Sequence, residues 1–94
     1  MQVKNIILES IESVNKELKI KELESVDENT PLFELLDSLG TLDLILELEN
    51  RLQEVSGNYI AVASEESMDA KNTPFKNIAT LETFLEKRMQ DESN

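Results

Sequence analysis

The chain has 94 residues, with nine basic and twenty acidic side chains, a net charge of −11, and neither cysteine nor histidine. That length suits one small domain with a modest core, residues 1–94, and the composition excludes disulfides, thiolate metal sites, cysteine nucleophiles and any Ser-His-Asp triad. So acidic a surface repels phosphate backbones and anionic membranes, which argues against nucleic acid and for a basic protein partner.

Val3, Ile7, Ile11, Val14 and Leu18 recur at spacings of four, four, three and four. That period predicts an amphipathic first helix over residues 3–18, widened by Ile6 and Leu8, with Glu9, Glu12, Lys16 and Glu17 outside. Glu9 and Glu12 also interrupt any apolar signal-peptide core. No apolar run is long enough to span a bilayer, so no membrane insertion is expected. A cytoplasmic monomer is the expectation.

Residues 19–36 carry apolar side chains without a helical period, and Pro31 forbids a continuous helix there. They read as a long loop that returns repeatedly to the core, a feature often tied to function. Asp27, Glu28 and Asn29 resemble part of a calcium loop, but the glycine and terminal glutamate of that pattern are missing. No metal site is expected.

The second helix is predicted from Ser38 to about Val55, with Ser56-Gly57 as its stop signal. Ser38 is a good N-cap, and Asp37 before it suits the positive end of the helix dipole. At about 100° per residue the apolar positions split into two groups. Leu44, Ile45, Leu48, Leu52 and Val55 form one broad face toward the core. Leu39, Leu42 and Leu46 form a second stripe pointing elsewhere, surrounded by Asp43, Glu47, Glu49 and Asn50. A one-faced surface helix has no need of such a stripe, so it is expected to be an exposed docking surface. Gly40, in the first turn, is either a tolerated weakness or a missing side chain that clears space beside Ser38.

Tyr59-Ile60-Ala61-Val62 alternates, but a lone strand has no partner here, so it reads as an extended segment with Ile60 and Val62 inward. Ser64-Glu65-Glu66 begins a short helix that should end by Asn72-Thr73, before Pro74. Phe75 and Ile78 fill core gaps. Thr80 is expected to cap a last helix with Leu81, Phe84, Leu85 and Met89 inward, and residues 91–94 to fray as a disordered tail. The sum is an all-α bundle of three main helices plus one short helix, with a long loop between the first and second.

A serine with no base near it in sequence is a poor nucleophile. Ser38 is therefore either only a cap or a place where another enzyme works. Asp37-Ser38-Leu39, followed by this helix in a small acidic helical domain, resembles the attachment motif of the acyl carrier protein family. The resemblance covers most of the chain. It implies a carrier and not an enzyme, a phosphoprotein with 4′-phosphopantetheine in phosphodiester linkage to Ser38. Asp37 would be part of the motif that a phosphopantetheinyl transferase recognises. A helix N-terminus suits such a phosphate. The resemblance further implies thioester-bound acyl cargo, in fatty-acid, lipid or specialised acyl biosynthesis. Acyl-loading and acyl-transfer enzymes with basic docking surfaces would meet Leu39, Leu42, Asp43, Leu46, Glu47 and Glu49. An apolar cleft near Ser38, between the core faces of the first, second and last helices, could shelter a fatty acyl chain.

Two alternatives stand beside this. Leu35-Leu36-Asp37-Ser38-Leu39-Gly40-Thr41, Glu49-Asn50-Arg51 and Asn72-Thr73-Pro74 are also similar to D-alanyl carrier proteins, which makes an aminoacyl carrier the runner-up. The chain departs from both groups over residues 52–68, where the connection is longer. An unmodified helical interaction module would explain the leucine stripe but not the Asp37-Ser38 context.

Overall fold

The computed structural model describes residues 3–63, 69 and 71–93, and these form an all-helical fold without strands. Helix α1 spans Val3–Leu18, α2 Leu32–Ser56 and α3 Ile78–Ser93, with single 3₁₀ turns at Lys21–Leu23 and Pro74–Lys76. The predicted first helix is thus reproduced residue for residue. Its stripe is buried as the period demands, with Ile7 and Ile11 almost fully covered. Helix α1 ends because Lys19 adopts φ 55°, and the Asn15 side chain then clasps Ile20. The Asn15 amide donates to the Ile20 carbonyl at 3.0 Å, and its oxygen accepts the Ile20 N–H at 2.8 Å.

The loop after α1 returns to the core at Leu23, which is buried, while Ile20 and Val26 pack against its edge. The calcium-like Asp27-Glu28-Asn29 run is a turn: Asp27 Oδ1 accepts the Asn29 N–H at 2.8 Å, and Thr30 Oγ1 accepts the Asp27 N–H at 2.9 Å. The loop is shorter than expected, because a helical turn resumes at Leu32, ahead of the predicted start at Ser38. Pro31 occupies the position before that turn, where its missing N–H costs nothing. Leu32 and Leu36 are buried, so this turn is held by tertiary burial and not by an extended helical period.

Helix α2 stops at Gly57, whose φ of 79° is the left-handed conformation that glycine adopts without strain. Of the residues assigned to its core face, Leu44, Ile45, Leu48 and Leu52 are buried, but Val55 is 53% exposed. Val55 lies in the last turn of α2, beside the Gly57 stop. Ile60 and Val62 point inward as the alternation implies, and the Arg88 guanidinium donates to the Ala61 carbonyl at 3.0 Å to tie this segment to α3. The short helix expected after Ser64 falls on residues that lie largely outside those described.

Phe75 and Ile78 are fully buried between the helices. The last helix is capped by Asn77 and not by Thr80. Asn77 Oδ1 accepts the Thr80 N–H at 2.9 Å, and Thr80 Oγ1 accepts the Asn77 N–H at 3.1 Å. This is a reciprocal capping box, with Thr80 as its third-position member. Leu81 and Leu85 are buried, with Phe84 and Met89 at the core margin. The α3 backbone continues to Ser93, so residues 91–93 extend the helix where a frayed tail was expected. Among the described residues no helix is long and apolar enough to cross a membrane.

Candidate modification site and docking face

The site is built at a break inside α2. Asp37 has φ 51° and ψ −169°, non-helical values that divide α2 into a short turn, residues 32–36, and a long helix from Ser38. A non-glycine residue in this region stores strain of about 1–3 kcal/mol. Two hydrogen bonds hold it. The Asp37 carboxylate accepts the Gly40 N–H at 3.0 Å, and the Thr41 hydroxyl donates to the Asp37 carbonyl at 2.6 Å.

The N-cap is therefore Asp37, not Ser38. The sequence places two good capping residues side by side, and the incoming chain decides between them. Ser38 becomes the first helical residue. It is exposed, and its side chain makes no hydrogen bond among the described residues. Its hydroxyl stands at the positive end of the helix dipole, a position that favours an attached phosphate. One oxygen of the carboxylate beside it, Oδ1, accepts a backbone amide of the first turn.

Gly40 is buried, and its missing side chain serves packing. A Cβ there would meet Leu36 Cβ at 3.2 Å and Leu18 Cδ1 at 3.5 Å. The space it clears is filled by the kinked turn and the end of α1, not left open beside Ser38.

The second stripe is outside the core. Leu39, Leu42 and Leu46 are 76%, 45% and 53% exposed, on the same end of α2 as Ser38. Asp43 is exposed among them. Asp43, Leu46 and Glu47 line a shallow groove of about 230 Å³ shared with Val14 and Glu17 of α1. Glu47 is engaged: it accepts the Arg51 Nε–H at 2.6 Å, and Arg51 also lies 3.8 Å from Glu9, which braces α2 to α1.

Glu49 is also engaged. Its carboxylate accepts the Val62 and Ala63 backbone N–H groups at 2.8 and 3.1 Å, so it anchors the extended segment and is not free to meet a partner's cation. Nothing in the sequence signals this: at about 100° per residue Glu49, seven positions after Leu42, falls within about 20° of it, on the stripe side of the helix. The same charge, with lesser effects of desolvation and a Glu49 hydrogen bond, raises the Tyr59 phenol above its ordinary value of 10.0.

Ile45, Leu48 and Leu81, which would line the expected cleft, are packed shut. A groove of about 460 Å³ lies elsewhere, between α1 and the following loop, over Leu8, Ile11, Leu23 and Val26. The described residues include no cluster of three acidic side chains able to hold a metal ion. Thr41 was missed from sequence, because an apolar-faced helix gives no warning that a threonine on its buried side bonds the cap. Compared with protein-family models, curated proteins and solved structures, the chain matches none of them.

Proposed function

We propose that this chain is an acyl-carrier-like protein, modified at Ser38 with 4′-phosphopantetheine and presented to cytoplasmic partner enzymes through the leucine stripe of α2. The observation that carries this reading is an exposed, unbonded serine hydroxyl at a helix N-terminus, directly beside three exposed leucines with an exposed carboxylate among them. A serine that served only as a cap would have its oxygen engaged by its own helix.

The residues fit the group. Ser38 supplies the oxygen, and the dipole of α2 favours the phosphodiester. When bound, the arm would supply a terminal thiol that holds acyl cargo as a thioester. In the transfer, the Ser38 oxygen forms a bond to phosphorus and the pyrophosphate P–O bond of coenzyme A breaks. The adenosine bisphosphate portion leaves with the electron pair. The Ser38 proton would pass to a base on the transferase, since the chain has no histidine. Leu39, Leu42 and Leu46 would be covered by the partner, and Asp43 would face its basic residues. Glu47 would contribute less, being neutralised by Arg51.

Incubation with coenzyme A, magnesium and a broad-specificity phosphopantetheinyl transferase should add one phosphopantetheine, read by intact-mass spectrometry. Ser38→Ala should abolish the addition. No addition to the unaltered protein, or addition that persists in the variant, would overturn the assignment and favour an unmodified interaction module.

A further inference from the structure

Two residues compete to cap α2, and the outcome decides whether the Ser38 hydroxyl is free. Asp and Ser are both strong N-caps. If Ser38 capped, its oxygen would accept an amide of its own first turn and lie against the helix end. With Asp37 as cap, that duty passes to a carboxylate and the serine is released. The released arrangement is the strained one, because Asp37 must hold φ 51° with ψ −169°. Something else must select it.

We infer that Thr41 is the positioning residue that selects the Asp37 cap and so keeps the Ser38 hydroxyl available. A cap residue's own carbonyl is the first acceptor of its helix. The Asp37 carbonyl therefore belongs to the helix only when Asp37 caps. Thr41 is fully buried, and its hydroxyl donates to that carbonyl at 2.6 Å. Were Ser38 the cap, this carbonyl would fall outside the helix and the buried hydroxyl would lose its acceptor, which is costly where water cannot replace it. Gly40 acts in the same sense. Having no Cβ, it lets Leu36, itself buried, close over the first turn. The selection is made from inside the core, while Ser38 itself remains exposed.

The test pairs a conformational readout with a chemical one. In the unmodified protein, the sign of φ at Asp37 is read from the amide-to-Hα coupling and nuclear Overhauser effect. It is measured in the unaltered chain, Thr41→Val and Thr41→Ser. The same samples are then incubated with coenzyme A and the transferase. A positive φ is expected in the unaltered chain and in Thr41→Ser, which keeps the hydroxyl. Thr41→Val should shift Asp37 toward negative φ and slow modification about five- to tenfold, the effect of losing one buried hydrogen bond. Thr41→Ser should restore most of the rate.

A negative φ in the unaltered chain overturns the inference with no variant needed, as does a positive φ that survives in Thr41→Val. A φ that changes sign while the rate stays constant removes Thr41 from the presentation of Ser38. The chemical half of the inference rests on the carrier reading, but the coupling measurement does not. If the unaltered chain shows positive φ and is never modified, the carrier reading fails and the cap selection stands.

Discussion

Gly40 shows how one missing side chain can be read in two ways until its neighbours are known. Alanine there would gain about 0.5–1 kcal/mol of helix propensity. Against this stands the 3.2 Å approach of its Cβ to Leu36 Cβ, an atom fixed to the backbone and unable to swing aside. Overpacking of this kind costs about 1–3 kcal/mol. Crowding wins, and Gly40→Ala should lower stability by ~1 kcal/mol. A thermal melt should show this as a fall of about 4–8 °C. A higher melting temperature would mean that the kinked turn yields.

Helix α2 carries two apolar faces, one buried and one exposed. Leu48 is fully buried, whereas Leu42 is 45% exposed in the stripe beside Ser38. Leu48→Ser should cost ~3 kcal/mol or more, because it removes buried methyl groups, leaves a cavity and places a hydroxyl in it. Leu42→Ser should stay within about 0.5 kcal/mol, as surface changes do. It should nevertheless weaken docking, seen as slower modification of Ser38 at limiting transferase. Melting temperature and modification rate, measured side by side for the two variants, separate core from contact. Equal unfolding by both would mean that the stripe is structural. Glu49, on the same helix, is excluded from that comparison because it holds Val62 and Ala63.

At the scale of the molecule the dominant quantity is the net charge of −11. It favours encounter with a basic surface and opposes self-association through the leucines. Charges near the stripe should set the rate at which a partner arrives, and the leucines its residence. Asp43→Lys is the clean probe, since Asp43 is exposed and has no ion-pair partner among the described residues. Glu47→Lys would in addition bring two cations together at Arg51 and break the brace to α1. Asp43→Lys should slow modification several-fold at low salt with the melting temperature within a degree or two. The gap from the unaltered chain should narrow as salt rises, because the Debye length is about 8 Å at physiological ionic strength. A constant gap from low to high salt would show that Asp43 acts by shape and not by charge.

The sequence by itself determined the helices whose apolar period is long. Helix α1 was legible to the residue, α2 to its glycine stop, and the inward Ile60 and Val62 by alternation, because burial of a repeated face dominates those segments. The exposed stripe of Leu39, Leu42 and Leu46 was legible for the same reason: a second apolar period on a charged helix has nowhere to go but outward. What only the tertiary structure decided were choices between near-equal local options. Asp37 or Ser38 could cap α2, and Asn77 or Thr80 could cap α3. Each pair differs little in intrinsic preference, so buried Thr41 and Leu36 tip the first and the capping box with the Thr80 N–H the second. The helical turn after Pro31 has too few residues to show a period, and it forms because Leu32 and Leu36 find a core supplied by distant parts of the chain. Glu49 likewise looked like one more acid on a polar face until folding brought two backbone amides to it across thirteen and fourteen residues of sequence.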